Sequence, residues 1–585
     1  MAETLISPGV LTRENDQSQI TAGPIQAGAA IIGPTVKGQV EIPTLCTSYS
    51  DYVAKFGNTF ESGSEEFSFF TSISAYNYFQ NGGASLLVAK VANGTFTSAT
   101  SSFISSSLPA GSQGNPAFIL ETLGEGVLNN SLDGTYVPAG NASNTGSNGT
   151  LLSGSKDNIR WEITNPNTSS GVFSLTIRRG DDTKQAKTVL ETFANISLDP
   201  KASNYISRQI GDQKLTKAGS GTDLYLQTSG SYNNASNYVR VKTVYLKTPD
   251  YLDNAGSAKT KYTASIPVAM SGGFGMAQGD IVNAGDNFYQ NINNTDSQGL
   301  VGTDYTDAIN LLGNKDDFRY NLITTPGLIY SEATHATALN TLISNTENRG
   351  DNIIVLDLAL YNSTLSSVTT QASSLDTSYA AAYWPWLQIT EPSTRQLVWV
   401  PASTMIPGVY AYNDRVGEPW FAPAGINRGG LNTVRQAERK LTNANRDSLY
   451  TENVNPIATF PATGVVVFGQ KTLQKKASAL DRVNVRRLLI ALKNFISQIA
   501  DNLVFEQNTQ ATRNTFLSQV NPYLESVQQR QGLYAFKVVM DSTNNTPDVI
   551  DRNQLVGAIY IQPTKTAEFI YLDFNILPTG ATFPA

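Results

Sequence analysis

The segment at residues 352–357, Asn-Ile-Ile-Val-Leu-Asp, constrains the fold more than any other part of the chain. Four consecutive apolar residues between polar ones predict a strand that is buried on both faces, as in a parallel sheet. A helical pattern at residues 333–346 precedes it, and another strand-like run at 322–325 precedes that helix. Strand, helix and strand in this order predict a right-handed crossover, and therefore an α/β domain.

Two earlier runs fit the same domain. Residues 29–33 are apolar and end at a Gly-Pro turn, and residues 86–91 follow a predicted aromatic helix at 67–79. Later runs at 386–389, 397–400 and 464–469 also predict strands. We therefore predict a discontinuous α/β core formed by residues 28–92 and 266–470.

The composition changes at Asn93. Between Val91 and Ser155 the charged residues are limited to Glu121, Glu125 and Asp133. Abundant Ser, Thr, Gly and Asn could form a disordered linker, but recurring apolar residues favour a β-rich insertion. Clearer strand patterns follow at 159–163, 173–178 and 238–246. We predict that residues 93–265 form a β-rich inserted outer domain, or two.

A C-terminal inner domain is predicted at residues 471–562. Its longest helix begins near Asp481 and carries an amphipathic stripe. The stripe consists of Val485, Leu488, Leu489, Leu492, Phe495, Ile496, Ile499 and Leu503. A second helix at about 512–529 and strands at 534–540 and 555–561 follow it.

Both ends of the chain predict extended arms, at residues 1–27 and 563–585. The first arm is punctuated by Gly and Pro and has few apolar groups, among them Val10 and Leu11. In the second arm, alternate apolar residues share one face of an extended segment. These residues are Ile570, Leu572, Phe574 and Ile576. The fold class expected is thus multidomain α/β and α+β, with an α/β core, a β-rich insertion and two arms.

Composition excludes many enzyme classes. A single Cys and a single His exclude disulfide frameworks, CxxC motifs and His-rich metal sites. Cys46 lies among apolar residues and is interpreted as an inert core thiol. His335 has no nucleophile or orienting carboxylate that the sequence locates. No paired carboxylates have a distinguishing context, and we expect no catalytic residue, cofactor or metal.

Two glycine-rich segments invite a phosphate-site interpretation. Residues 271–275, Ser-Gly-Gly-Phe-Gly, do not fit GxGxxG, so a turn that enters the core is the preferred interpretation. Residues 427–430, Asn-Arg-Gly-Gly, are better explained by an arginine that anchors neighbouring carbonyls. The N-terminus lacks a signal-peptide pattern and no segment approaches a membrane span, so we expect folding in a cytoplasm.

One local charge asymmetry surrounds the start of the long helix. The basic residues are Lys471, Lys475, Lys476, Arg482, Arg486, Arg487 and Lys493. They could form a solvated helix face, or a docking face for an acidic protein surface. Nucleic acid is the weakest alternative, because the chain has a net charge of −7 and the cluster lacks interleaved aromatic residues.

Several ordered segments resemble the contractile tail sheath proteins of bacteriophages. They include Ser7-Pro8-Gly9-Val10 near the start and the strand region Gly28–Pro34. The strongest matches are Ala382-Tyr383-Trp384-Pro385-Trp386, Val398-Trp399-Val400-Pro401-Ala402-Ser403 and Pro419–Gly425, and Asn484-Val485-Arg486-Arg487 follows at the start of the long helix. Residues 93–158 lie outside the resemblance. At residue 274 this chain has Phe where similar proteins often carry an acidic residue.

The resemblance implies a structural, non-enzymatic subunit of a phage tail in the virion. Such subunits stack as hexameric rings in a helical tube around a tail tube, with the tube, baseplate and terminator proteins as partners. Neither direct nucleic-acid binding nor membrane insertion is implied. The arm residues would add strands to sheets of neighbouring subunits, and contraction of a metastable extended state would drive the tube through the host envelope.

Within this interpretation, Arg482, Arg486, Arg487 and Lys493 form the candidate tube-facing helix surface. Two alternatives stay open. One is the sheath of a phage-like secretion or injection particle, and the other is a β-rich surface enzyme that degrades polysaccharides with paired carboxylates.

Overall fold

The structure is a computed structural model that describes residues 25–103, 116–128, 151, 154–221, 223–280 and 287–570. The arm residues Val10, Leu11, Leu572, Phe574 and Ile576 lie outside these ranges. Ile570 is the one named arm residue inside them, and it is exposed.

The first part of the chain alternates short strands and helices. Its elements are β1 Ile25–Ala27, β2 Ala29–Gly33, β3 Thr44–Cys46, α1 Tyr49–Phe56, β4 Phe60–Ser62, β5 Glu65–Phe67, α2 Phe70–Gln80 and β6 Leu86–Lys90. The second part is mostly β. Its elements are β7 Ser98–Phe103, β8 Phe118–Glu125, β9 Ile159–Asn167, β10 Val172–Arg179, β11 Val189–Ser197, α3 Ile206–Ile210, β12 Lys214–Ala218, β13 Tyr225–Ser229, β14 Val239–Val244, α4 Thr260–Thr263 and β15 Met270–Gly273.

The third part returns to alternation. Its elements are α5 Thr306–Leu312, β16 Phe318–Tyr320, β17 Leu322–Ile329, α6 Ala333–Arg349, β18 Ile353–Asp357, α7 Leu365–Ser373, β19 Ala380–Trp384, β20 Leu387–Thr390, β21 Leu397–Val400, α8 Ile406–Val416, β22 Val434–Ala437, α9 Asn443–Thr451, β23 Val454–Phe460 and β24 Gly464–Val467. The last part consists of α10 Val483–Asp501, α11 Gln510–Gln529, β25 Leu533–Val539, α12 Pro547–Asp551 and β26 Ala558–Pro563.

An eight-stranded sheet joins the first and third parts, in the order β24-β23-β19-β18-β17-β2-β6-β3. Its six central strands are parallel, and the outermost strands, β3 and β24, are antiparallel to their neighbours. Along β18, Ile353 and Val355 enter one hydrophobic cluster, whereas Ile354 and Leu356 enter the cluster on the opposite face. Burial on both faces explains the unbroken apolar run, and the predicted α/β class is confirmed.

The helices that cover this sheet end where the local sequence dictates. Ser48 caps α1, because its hydroxyl accepts a hydrogen bond from Asp51 N at 3.1 Å. α6 ends at Gly350, which adopts a left-handed conformation with φ 69°. Ser48 therefore fixes where α1 begins, and Gly350 fixes where α6 ends before β18 starts.

The second part of the chain has its own hydrophobic cluster, which includes Trp161, Phe118 and Phe173. Its main sheets have the orders β11-β10-β9-β15 and β14-β8-β7, and β12 and β13 form a separate hairpin. A buried ion pair stiffens the first sheet. Arg178 Nε donates to Asp182 Oδ2 at 2.7 Å, and Arg178 Nη1 donates to Glu162 at 3.0 Å.

The glycine-rich segment at 271–275 was predicted as a turn that enters the core, and this is wrong. Its first residues lie in β15, which pairs with β9, and Phe274 is buried in the cluster of the second part. The indole Nε1 of Trp161 donates to Gly273 O at 3.0 Å. A Cβ on Gly272 would lie 2.9 Å from the Trp161 ring, so a glycine is needed where the indole lies against the strand.

The start of the described chain also differs from expectation. The arm was predicted to extend to residue 27, but Ile25–Ala27 form β1, which pairs in parallel with β16. The cause is long-range: the strand partner lies about three hundred residues away in sequence, so local composition does not reveal it.

The β12–β13 hairpin packs back onto the core. Lys217 Nζ lies 2.5 Å from Asp307 Oδ2 and also pairs with Glu41. Leu224 is buried in a hydrophobic cluster of the core. A second link joins Lys156 Nζ to Glu66 Oε1 at 2.6 Å. The second part is therefore attached to the core by contacts as well as by its two chain connections.

Candidate assembly interface

The last part of the chain is built on a helical hairpin. Leu488 and Leu492 of α10 pack against Phe516 and Val520 of α11 in one cluster. Phe495 lies at the edge and stacks on Tyr523, with ring centroids 3.7 Å apart. The predicted amphipathic stripe is therefore the face of α10 that meets α11. Thr509 caps α11 by accepting a hydrogen bond from Thr512 N.

The first turns of α10 are buried on all sides, which the stripe did not predict. Residues Val483 to Leu488 are all at most 6% exposed, including both arginines. Arg486 lies over the Tyr379 ring at 4.0 Å, and its Nε donates to Ser378 O at 3.2 Å. The start of α10 is thus inserted between the core and the last part of the chain.

The Arg487 side chain also contacts residues of its own subunit. Its Nη2 donates to Asp414 Oδ2 at 2.6 Å, and its guanidinium lies 4.7 Å from the Tyr410 ring centre. The predicted tube-facing surface is therefore wrong for Arg486 and Arg487, because both side chains are used inside the subunit. No local sequence signal identifies their partners, which lie in α8 and in the loop before β19.

The other two predicted basic residues are placed differently. Lys493 is exposed on α10. Arg482 is half-buried just before α10, and its Nε donates to Glu568 Oε1 at 2.8 Å. The four residues do not form one surface, and of the four only Lys493 is exposed, although its Nζ also donates to Tyr379 Oη at 3.4 Å.

Glu568 is the centre of a polar anchor for the end of the described chain. Tyr450 Oη donates to Glu568 Oε2 at 2.7 Å, and Gln470 Nε2 donates to Oε1 at 3.0 Å. Burial and the neighbouring Glu568 carboxylate raise the pKa of Tyr450. The anchor, which we define as Tyr450, Gln470, Arg482 and Glu568, fixes the point at which the C-terminal segment leaves the body.

The segment beyond the anchor is apolar and exposed. Phe569 is 68% exposed and Ile570 is 76% exposed. Large apolar side chains at such exposure are unusual on a monomer's surface when they are contiguous. This end of the described chain has the character of a surface that another chain covers.

β25 and β26 form a two-stranded antiparallel sheet next to this segment. Among the described residues neither strand has a partner on its outer edge. Tyr534 and Tyr560 are each 63% exposed on it. A two-stranded sheet is marginal alone, and its unpaired edges present backbone donors and acceptors to an added strand.

The remaining sequence candidates are structural. Cys46 is buried and burial raises its pKa to about 12, so the expected inert thiol is confirmed. His335 is fully buried, its Nδ1 accepts from Ile329 N at 3.2 Å, and burial lowers its pKa to about 4. Arg428 Nε donates to Ala422 O at 3.0 Å, which confirms the carbonyl-anchoring interpretation.

Within the described ranges, no group of three or more His, Cys, Asp or Glu side chains is arranged to hold a metal ion. No helix within these ranges is both long enough and apolar enough to cross a membrane.

Comparison with known proteins finds similarity in two segments of the chain. Residues 298–473 match the central domain of phage tail sheath proteins, and residues 475–577 match the phage tail sheath C-terminal domain. The two matched segments, which together cover just under half of the chain, are similar to domains of phage tail sheath proteins. The C-terminal match contains α10, α11, the anchor residues Arg482 and Glu568, and the β25–β26 sheet.

Individual tail sheath proteins also match part of this chain in sequence. The chain is 45% identical to the tail sheath protein of Vibrio phage KVP40 over 185 residues, which is 32% of this chain and 28% of that protein. It is 40% identical to the tail sheath protein of Enterobacteria phage T4 over 185 residues, again 32% of this chain and 28% of that protein. The matched segment thus spans little more than a quarter of the length of these curated relatives.

A solved structure matches nearly the whole fold. The crystal structure of a sheath tail protein from Listeria innocua superposes with a TM-score of 0.50 at 10% identity, covering 93% of this chain and 96% of that one. At this identity the likeness concerns the fold alone.

Proposed function

We propose that this protein is the structural subunit of a contractile phage tail sheath. In this proposal, subunits polymerise as stacked hexameric rings around a tail tube and contract from a metastable extended state, which drives the tube through the host envelope. The observation that carries it is the exposed β25–β26 sheet, whose outer edges have no strand partner among the described residues, inside a segment that matches the sheath C-terminal domain.

Strand addition is the contact that this surface suits. An incoming extended segment would satisfy the backbone groups along an outer edge of β25 or β26 and would cover exposed apolar side chains such as Tyr560. The chain carries a segment of suitable pattern, since Ile570, Leu572, Phe574 and Ile576 alternate. Phe569 and Ile570, the last described residues after the anchor, are exposed, and a neighbouring subunit is the proposed acceptor of the segment that they begin.

A heterologous exchange between identical subunits closes into a ring when its rotation closes, and it generates an open helix when the rotation does not close. Contraction would be powered by different burial in two such lattices. At about 25 cal/mol per Å², roughly 300 Å² of additional apolar burial would stabilise one subunit by about 7 kcal/mol. The extended lattice would persist because the conversion has a kinetic barrier.

The proposal includes partners and location. The tail tube, baseplate and tail terminator proteins are the proposed partners besides further copies of the chain, without direct contact to nucleic acid and without membrane insertion. The subunit is proposed to assemble in the host cytoplasm, to reside in the virion tail and to have no enzymatic activity. Which surface faces the tube stays a prediction, for which Lys493 is the exposed candidate.

Negative-stain electron microscopy of the purified chain, alone and co-expressed with its tail tube protein, tests the proposal. The full chain is expected to form hollow helical tubes. A variant that ends at Glu568 keeps the anchor and is expected to stay folded but to form no tubes.

As a control, an exposed aromatic residue outside the β25–β26 sheet and the C-terminal segment is replaced. Tyr225 of β13 is 46% exposed, and Tyr225→Ser is expected to leave tube formation unchanged. Discrete particles from the full chain even with the tube protein would refute the sheath proposal. Normal tubes from the variant that ends at Glu568 would instead refute only the strand exchange.

A further inference from the structure

A small cavity lies at the carboxyl ends of the parallel strands β2 and β6. In the sheet, β2 lies between β6 and β17. The strands that follow β2 along the chain are therefore placed on both sides of it. Ligands of open α/β sheets bind outside the carboxyl ends of strands at such a switch point. The cavity has a volume of about 20 Å³ and is lined by Lys90 and Gln298, among others.

Lys90 is a buried cation without a hydrogen-bonding partner in the described part of the chain. Its side chain is 1% exposed, and its Nζ finds no acceptor there. The ammonium group lies 5.0 Å from the centre of the Phe96 ring. Burial lowers its pKa to about 8, so it is still mainly charged at neutral pH. An unpaired buried charge is costly, which favours a counter-ion beside it.

Gln298 contributes a second donor to the same cavity. Its Oε1 accepts the hydrogen bond of Phe70 N at 3.1 Å, which fixes the orientation of the amide. The Nε2 group is therefore the free end, and it too has no acceptor among the described residues. Two buried donors thus line one cavity, and neither is satisfied.

The start of α2 adds a third positive feature. Phe69, the residue before α2, lines the cavity. It provides no side-chain cap, and the first turn of α2 carries no acidic residue. The N-terminus of a helix carries partial positive charge and favours an anion. The carboxylate that attracts Lys90 most is Glu125, which accepts from Val40 N at 3.0 Å and makes no hydrogen bond to Lys90.

We propose that this cavity binds one small monatomic anion of the halide type, held by the Lys90 ammonium, the Gln298 amide and the N-terminus of α2. The size selects the ligand, because about 20 Å³ accommodates a single water-sized particle and excludes phosphate or a carboxylic acid. Asp280 also lines the cavity, but it is exposed to solvent. The two buried donors have no acceptor among the described residues, which favours an anion beside them over water.

The cavity lies where the chain connects the core to the β-rich part, so a bound anion would affect how these two parts are joined. Lys90 ends β6, where the chain leaves the core for the β-rich part, and Asp280 and Gln298 line the cavity where the chain returns. A bound anion would join both connections to the core sheet. It would thereby fix the β-rich part relative to the core.

The test titrates chloride against gluconate at constant ionic strength, with the full chain, and measures Tm and the ³⁵Cl NMR line width. Gluconate is too large for the cavity. Chloride at about ten times its Kd is expected to raise Tm by roughly 1–2 °C over gluconate. Specific binding is also expected to broaden the ³⁵Cl line.

Lys90→Met removes the charge at similar length and is expected to abolish both effects, whereas the exposed control Lys493→Met keeps them. Gln298→Glu is a second variant, since its carboxylate can pair with Lys90 and occupy the anion's place. It is expected to fold with a chloride-independent Tm. Equal Tm values in chloride and gluconate would mean that water fills the cavity, and chloride dependence that persists in both variants would place the anion elsewhere; either result overturns the proposal.

Discussion

Arg482 Nε donates a hydrogen bond to Glu568 Oε1 at 2.8 Å, and this pair joins the start of the long helix α10 to the end of the described chain. The sequence separation is 86 residues. Arg482 was expected to face a partner protein, but it instead determines where the C-terminal segment leaves the body. The charge of Arg482 therefore did not reveal the contact that it makes within the subunit.

Glu568→Ala is expected to abolish tube formation while leaving the subunit folded. The change removes the acceptor of three side-chain hydrogen bonds, from Tyr450, Gln470 and Arg482. Because the pair with Arg482 is only partly buried, the free energy of unfolding should fall by about 1 kcal/mol or less. Electron microscopy of assemblies and thermal unfolding measure the two effects.

Glu418→Ala is the matched control for this change. Glu418 pairs with Arg530 at 2.8 Å, and the exposure of its side chain, 24%, is close to the 19% of Glu568. Its loss should cost similar stability and leave tubes intact. If both variants assemble normally, the anchor has no role in assembly.

Arg487→Met is expected to lower the free energy of unfolding by about 1–2 kcal/mol, because it removes the charge-assisted hydrogen bond between the buried guanidinium and Asp414, whose side chain is 37% exposed. Urea unfolding measures the change. Lys493→Met, on the exposed face of the same helix, should change it by about 0.5 kcal/mol or less. Equal effects of the two substitutions would contradict the buried, structural role of Arg487.

Gly272→Ala is expected to destabilise the β-rich part by about 1–3 kcal/mol. The new Cβ would lie 2.9 Å from the Trp161 ring, which is itself held by hydrogen bonds to Ser101 and Gly273. Trp161 fluorescence during unfolding measures the effect locally. At Gly430 a Cβ would find its nearest neighbour at 3.5 Å, so Gly430→Ala is the control and should be close to neutral.

His335 predicts a pH dependence of stability. Burial lowers its pKa to about 4 from the usual 6.5, so between these values the unfolded chain binds a proton that the folded chain does not. Its contribution to stability is therefore present above pH 6.5 and is lost as the pH falls towards 4. The loss is on the order of 3 kcal/mol.

His335→Asn keeps an acceptor for Ile329 N and removes the titration. The difference between the two unfolding profiles isolates this group, which is needed because Asp357 acts in the opposite direction. Burial raises the pKa of Asp357 to about 7, so its contribution is lost as the pH rises from 3.8 to 7. Profiles that stay parallel between pH 4 and 6.5 would show that His335 does not titrate as inferred.

The strands of the core were predictable because their burial is recorded in local pattern. Residues 352–357 carry an unbroken apolar run, and β18 is buried on both faces there. The stripe on α10 likewise predicted the helix and the face that meets α11. In both cases the buried residues lie within a few positions of one another in the sequence. The local apolar pattern is therefore sufficient to predict their burial.

The candidate site was only partly predictable. The sequence indicated an arm after residue 563 and two strands before it, and β25 and β26 are found close to those positions. Nothing local identified the anchor around Glu568 or the burial of Arg486. Those features require partners in α9, in the turn before α10 and in the loop before β19, which are brought together by the fold alone.

The sequence by itself determined the α/β class, the positions of the buried strands and the long amphipathic helix, because hydrophobic periodicity depends on residues a few positions apart. The tertiary structure decided which charges are exposed, that Ile25–Ala27 belong to the body and that residues 270–273 complete a distant sheet. These outcomes depend on contacts between residues far apart in the chain. Their energies come from burial and pairing that a charged or glycine-rich segment does not encode locally.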